Sequence, residues 1–457
     1  MANRKIIQPT PNSHDLTQGK EWKVIFRFAL PLLIGNLLQQ FYNITDSIIV
    51  GQFLGKEALA AVSASFFIYY FIISLVIGVG SGTTVVVSQF FGARQFENVQ
   101  KTFSSFFIFM LIAGVLLSIT GILFAEPVFK LTNTPEEIIP QAVTYFRIYI
   151  GGAFLFVTFN SIISILRGMG QSFRPMIFIL ISAVLNILLD LLFIVVFKWG
   201  VEGVARATVI SQGIAMCIAL AYVNNQHPLL SIQKKDLLFD SSLFKKSLQI
   251  GLPTSVQQCA IAIGLIALLG IVNSFGTDTL TAYGAAGKID AIITQAILTL
   301  SGALAAFTGQ NIGAGRMDRI RKSVRCTMGF NAIFSLLTFG SIYVWGDHLM
   351  RAFTDDIQVI RIGQEYLLIL AGFFIVHGAL NIFNGVLRGA GDTLFTMLTS
   401  LFSLWLIRIP LAYFLSHQYG STGIWWSIGL SILIGFLITY IYYKTGKWKK
   451  KAVVETN

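Results

Sequence analysis

Charge is what this chain has least of. Only 12 % of its 457 residues are Asp, Glu, Lys or Arg, about half of what a soluble surface usually carries. Hydrophobic residues make up 55 % and the mean hydropathy is +0.73. There is too little polar surface to cover a water-soluble fold of this size, and too much apolar matter for a disordered chain. Cysteine is also scarce: Cys217, Cys259 and Cys326 are scattered singly, which excludes a disulfide scaffold. Of the five histidines, only His377 lies deep in an apolar stretch, and it has no metal-ligating neighbour at helical spacing. No GxxxxGK[ST] sequence is present, so the chain does not itself hydrolyse ATP. The first apolar run is too long for the core of a cleavable signal peptide, and none is expected.

What is abundant is long apolar runs. A helix needs roughly 20 such residues to cross a hydrocarbon layer. The sequence offers twelve runs, at 26–50, 58–88, 103–125, 143–165, 175–197, 204–223, 248–273, 280–308, 327–345, 363–386, 394–416 and 422–443. They predict an all-α polytopic membrane protein with twelve transmembrane helices.

The formal charge of +12 first resembles a nucleic-acid footprint. Its distribution says otherwise. With the N-terminus placed inside, 24 of the 33 Lys and Arg fall on one side. Among them are Arg4 and Lys5, Lys234 and Lys235, the 316–325 cluster and the 444–451 tail. The opposite loops are acidic, with Glu126, Glu136, Glu137, Asp347, Asp355 and Asp356. This bias is a topology signal that puts both termini in the cytoplasm, with contact to anionic lipid headgroups secondary. No basic groove interleaved with aromatics occurs, so no nucleic-acid partner is expected.

The chain also repeats itself. A shift of 221 residues lays Gln89, Gly92 and Ala93 on Gln310, Gly313 and Ala314, and Tyr145 on Tyr366. The same shift lays Leu166-Arg167-Gly168-Met169-Gly170 on Leu387-Arg388-Gly389-Ala390-Gly391. The shift is 222 at Leu30-Pro31 (onto Leu252-Pro253) and 220 at Gly200 and Gly203 (onto Gly420 and Gly423). Two six-helix bundles related by duplication follow, each entering the membrane from the same side. The expected organisation is an N-terminal lobe over 1–223, a linker over 224–247, a C-terminal lobe over 248–443 and a basic tail over 444–457. This architecture suits a rocking transporter better than an enzyme.

Among so few charges, the acids inside the apolar runs stand out. They are Asp46, Asp190 and Asp290. A charge at that depth costs at least ~2.5 kcal/mol, and such residues are by default functional. Asn186 is one helical turn from Asp190, Asn43 is three residues before Asp46, and Thr208 lies at a similar depth in the sixth run. Carboxylates, an amide and a hydroxyl form an oxygen-rich site for a hard monovalent cation or for a proton. The competing structural reading is that each Asp caps a broken helix or pairs with a polar neighbour. Asp290 either binds a cationic substrate or pairs with Arg408 of the eleventh run. Pro31 and Pro253 occupy matching places in the first run of each half, where proline permits a bend; both are candidate hinges.

Pro31 with Asn43 and Asp46, the segment VGQFLGKEALAAVSAS, the QFFGA and QNIGA loops, and the paired LRGMG and LRGAG together resemble the multidrug and toxic compound extrusion (MATE) transporters. The resemblance spans roughly 20–445. It implies two six-helix lobes around a cavity, and antiport of a lipophilic, often cationic small molecule against H+ or Na+, with no other cofactor. The branch that includes DNA-damage-inducible and archaeal members keeps its cation site in the N-lobe. Its motif matches here as Asp46, Asn186, Asp190 and Thr208, which would also be the ligands of Na+ if sodium is the coupling ion. Gln39 and Asn160 match neighbouring polar positions that line the cavity, and Asn43 and Asp290 join them as candidate substrate contacts. The norfloxacin-type branch uses C-lobe carboxylates, one of them in helix 7. Here that helix offers only Gln257 and Gln258. The expected setting is the bacterial inner membrane, as a monomer, with lipids and the small-molecule substrate as partners. A flippase for a lipid-linked oligosaccharide shares the architecture but wants a basic cavity, for which only Lys288 and Arg408 qualify. A membrane-embedded enzyme wants a clustered catalytic set, and the sequence has none.

Overall fold

A computed structural model describes residues 15–132, 134–227, 229–233 and 237–454. Arg4, Lys5, Lys234 and Lys235 of the one-sided cation set lie outside the described residues.

The first two apolar runs form one helical element, α1 (Glu21–Gly92). Its 72 residues would extend for about 108 Å if straight, more than three times the hydrocarbon thickness. Gly55 interrupts it at φ 86° and ψ −176°, a conformation that an L side chain resists, and divides it into two lengths that can each span. There follow α2 (Phe96–Leu131), α3 (Ile139–Gly151), α4 (Ala153–Gly168) and α5 (Phe173–Leu191), the last continued by a π-helical turn over Leu192–Val196. Then come α6 (Gly200–Gln226), α7 (Ser241–Asn273), α8 (Thr277–Gly313), α9 (Met317–Arg351) and α10 (Ile357–Gly389). The eleventh run is α11 (Thr393–Leu401), a π-helical stretch over Phe402–Arg408, and α12 (Ile409–Tyr419). Finally α13 (Ser421–Thr445) leads into a 3-10 turn, Lys447–Lys451, where Trp448 is buried and stacks on Tyr443.

Ten of these helices are long and apolar enough to cross a membrane, and the bent pair α3–α4 makes eleven. Dividing α1 at Gly55 makes twelve among the described residues. The fourth span is bent: its two parts meet at 45°. The bend falls at Gly152, where an added Cβ would stand 2.6 Å from the Val209 side chain, so α6 leaves room only for glycine.

The duplication is written in the backbone. Left-handed residues recur in pairs: Gly55 with Gly276, Arg94 with Gly315, Gly170 with Gly391, and Gly200 with Gly420. The paired LRGMG and LRGAG have a packing reason as well. A Cβ on Gly168 would meet the carbonyl of Thr84 at 2.8 Å, and one on Gly389 the carbonyl of Ala305 at 2.4 Å. Thr84 and Ala305 are themselves 221 apart, so both halves use the same close helix contact.

The chain divides into two compact units. The first contains Leu30–Gly251; the second joins Leu16–Ala29 to the chain from Leu252 onward. The N-terminal segment belongs to the second unit because polar groups there capture its backbone. Leu16 N–H donates to Gln310 Oε1 (3.0 Å), Asn311 Nδ2 to the Leu16 carbonyl (3.2 Å) and Arg316 to the Thr17 carbonyl (2.8 Å). Buried Arg319 donates to the Gly19 carbonyl (2.8 Å) and pairs with Glu21 (3.4 Å). Between α6 and α7, Gln100 donates to the Ser231 carbonyl, and Asp240 N–H donates to Ser105 Oγ at 2.7 Å. The chain thus leaves one unit for the other within two residues of Pro31 and of Pro253. Each proline is inside a continuous helix and leaves a carbonyl, that of Arg27 or Gln249, without its helical donor.

Each unit has its own core, of Tyr69, Phe129 and Phe146 in the first and of Leu268, Leu367 and Trp425 in the second. Outward faces carry exposed Leu123, Ile112, Leu336 and Leu337. Only a hydrocarbon solvent accommodates such a surface. Ion pairs gather at helix ends, as Glu97–Lys101, Glu126–Lys130, Glu202–Arg206 and Asp347–Arg351, all four residues apart. The Lys101 ammonium holds the Glu97 carboxyl below the usual carboxylate range.

Candidate functional site

Three helices of the first unit bring Asp46, Asn186, Asp190 and Thr208 together. Asp46 comes from α1 before its break, Asn186 and Asp190 from successive turns of α5, and Thr208 from the third turn of α6. All four are buried: Asp190 is 0 % exposed, Asn186 and Thr208 1 %, and Asp46 9 %. Asn186 is the middle of the arrangement. With its amide oriented to satisfy both neighbours, the nitrogen donates to Asp190 Oδ2 at 2.9 Å and the oxygen accepts from Thr208 Oγ1 at 3.2 Å. The π-helical turn begins two residues after Asp190; such turns accompany functional sites.

The two carboxyl groups lie within hydrogen-bonding reach of each other. Yet Asp46 Oδ1 and Asp190 Oδ1 are fully buried and receive no donor. Two buried carboxyls so placed need a proton or a cation between them. The groups at hand are hard oxygens, which suit H+ or a monovalent cation such as Na+. Among the described residues no cluster of three or more His, Cys, Asp or Glu is formed, so a transition-metal centre has no ligand set.

Tyrosines wall this site, and residue-by-residue reading of the acids misses them. Tyr42 hydrogen-bonds to Thr208, and Tyr145 and Tyr149 lie within the field of Asp46. Tyr149 bonds to Tyr69 and to Gln212, with the Tyr69 and Tyr149 rings edge to face at 4.2 Å. A signal existed: Tyr42 precedes Asp46 by four residues, Tyr145 and Tyr149 are four apart, and Gln212 follows Thr208 by four.

The other sequence candidates do not join the acids. Asn43 is exposed, and its carbonyl accepts from Ser47; the three-residue spacing puts it beside Asp46 but off the buried face. Gln39 is exposed. Asn160, half-buried on α4, turns its amide to the Phe156 carbonyl of its own helix (2.9 Å). Asp290 belongs to the second unit. It accepts from Thr294 at 3.4 Å and makes no ion pair with Arg408, which instead donates to Ser431 Oγ at 2.9 Å. Pro31 and Pro253 lie near the crossings between units rather than in the acid cluster.

A duplicated, all-helical, multi-pass chain with a buried oxygen cluster has the form of a membrane transporter. The MatE family pattern matches it twice, at residues 31–192 and 253–414, once in each half. The chain belongs to the MatE family, and it is an integral membrane transporter for small molecules, not an enzyme. It is 33 % identical over 440 residues to the probable multidrug resistance protein YpnP of Bacillus subtilis, covering 96 % of this chain and 98 % of that one. It is 29 % identical over 442 residues to the probable multidrug resistance protein YoeA of the same organism, covering 94 % and 95 %. A crystal structure of MATE in the straight conformation superposes with a TM-score of 0.89 at 25 % identity, covering 96 % of this chain and all of the other.

Proposed function

We propose that this chain exports lipophilic, cationic small molecules from the cytoplasm in exchange for H+ or Na+, by alternating access. The single observation that carries the ion-coupled reading is the Asp46–Asp190 pair, in which each carboxyl keeps a buried Oδ1 that receives no donor. A proton or Na+ taken up between them removes the repulsion; Asn186 and Thr208 supply further oxygens. Gln39, Asn43 and Asn160 would contact substrate. The coupling ion drives transport only through its different affinity for the two access states, and substrate must prefer the state the ion disfavours. The multidrug resistance names of the relatives support export of toxic compounds. The one-sided basic loops support a plasma membrane setting with both termini inside.

The hinges follow from connectivity. Leu16–Ala29 packs with the second unit and the start of α7 with the first, so any relative motion of the units must flex α1 near Pro31 and α7 near Pro253. At both places a backbone hydrogen bond is already missing, which lowers the cost of bending. One chain carries both halves and the ion site, in keeping with a working monomer. A flippase would need a basic cavity, but Lys288 is exposed and leans over Phe353, which leaves Arg408 alone.

The test is purified protein in proteoliposomes loaded with a fluorescent organic cation, with sodium and pH gradients imposed separately. Movement driven by one gradient identifies the coupling ion. No movement under either gradient would overturn the antiport reading.

A further inference from the structure

A second charged cluster lies wholly inside the second unit, and the ion site does not use it. Asp290 stands on α8, Arg408 at the end of the π-helical stretch, and Ser431 on α13. The two charges feel each other without pairing: each lies in the other's field, yet neither bonds to the other. Arg408 uses one of its five N–H donors, on Ser431, and Asp290 receives one long hydrogen bond, from Thr294. Tyr283, Tyr366 and His377 lie in the same field. Tyr283 stacks on Trp425 at 5.7 Å and 2°, with Tyr366 edge-on to Trp425 at 4.9 Å. Trp425 is fully buried and leaves its indole N–H without an acceptor.

The fold does not require these charges. The residue matching Asp290 in the first half is Tyr69, and those matching Arg408 are the apolar Ile187 and Leu188. A half-buried guanidinium with free donors and a half-buried carboxylate with free acceptor capacity are each open to a counterpart from a ligand. Held apart beside a rigid aromatic wall, they fit a ligand that carries both signs on a flat apolar body.

We propose that Asp290 and Arg408 are the two poles of a substrate subsite that selects zwitterionic organic solutes, with the ligand's cationic nitrogen at Asp290 and its carboxylate at Arg408. The subsite deepens the transporter reading and rests on it.

The experiment uses two dyes that differ by one methyl ester: rhodamine 110, with a free carboxylate, and rhodamine 123, its methyl ester. Binding to the full-length protein in lipid nanodiscs is read by fluorescence anisotropy. Arg408→Gln should weaken rhodamine 110 by about tenfold and rhodamine 123 by less than about twofold, because a charge-assisted contact to a carboxylate exists only for the first. Asp290→Asn should weaken both dyes by a similar factor. Ser431→Ala removes the support for Arg408 but keeps its charge, and Arg408→Lys keeps charge without the fork; both should retain a preference for rhodamine 110. Equal effects of Arg408→Gln on the two dyes, no effect on either, or no binding of rhodamine 110 by the wild type would overturn the subsite. Gradient-driven efflux of rhodamine 123 by the wild type is a separate readout. Its absence would remove the antiport reading while leaving the binding comparison standing.

Discussion

The two halves share a backbone and differ in what they bury. Where the first half places Asp46 on α1, the matching residue of α7 is Leu268; where it places Thr208 on α6, the matching residue of α13 is Ile428. Both replacements belong to the second unit's apolar core, with Leu268 1 % and Ile428 8 % exposed. Conversely, the second half carries Asp290 and Arg408 where the first has Tyr69 and apolar residues. The two halves therefore share the geometry that glycines and close helix contacts enforce, while the charges within their helices differ. One unit holds an acid pair with a net negative demand; the other holds opposite charges that balance.

The comparison can be broken most severely at the acid pair. Asp46→Asn or Asp190→Asn should reduce ion-driven dye efflux at least about 100-fold while the protein elutes and melts nearly as the wild type does. A carboxamide fills the same space but cannot trade a proton or neutralise a cation. Efflux at wild-type rate in proteoliposomes would sink the assignment. Making the second half imitate the first should fail in a different way. Leu268→Asp buries a lone carboxylate among Ile297, Leu367 and Trp425, and should destabilise the fold by about 3 kcal/mol, seen as a falling yield of monodisperse protein and a lower melting temperature. A variant as stable as the wild type would show that the second core tolerates charge.

The shared geometry gives a smaller effect. Gly168→Ala and Gly389→Ala each push a methyl into a carbonyl of the neighbouring helix, so each should cost about 1–3 kcal/mol and by similar amounts. If thermal melts separate the two sharply, the halves do not share this contact energetically. The smallest effect is expected at the surface. Glu97→Gln should move the melting temperature by less than about 1 °C, since an exposed pair is worth little. The sign is set by the lowered Glu97 range: the pair stabilises above the carboxyl's unfolded range and is lost as pH falls through its folded one. The gap between variant and wild type should close in acid; a gap that widens would assign Glu97 another partner.

Much of the architecture was legible because its causes are local. Apolar runs of membrane length, the 221-residue echo and the three isolated acids can all be read along the chain. So could the membership of Asp46, Asn186, Asp190 and Thr208 in one set, through their resemblance to a known motif. The tyrosine wall was hidden among 14 tyrosines, since only packing tells which of them meet the acids. Asn43 stands outside the acid cluster for the same reason. Three residues apart on a helix is a neighbourly spacing, yet Asp46 is buried and Asn43 is exposed, and sequence spacing does not say where a buried face ends.

The sequence by itself determined the solvent, the helix count and the twofold repeat, because hydropathy and glycine placement act over a few residues. Only the tertiary structure decided that the N-terminal segment packs with the second unit, that Asp290 and Arg408 remain unpaired, and that Asp46 meets Asp190. Each of those facts joins residues more than a hundred positions apart, where contact is set by how helices pack and not by anything a single stretch of chain can encode.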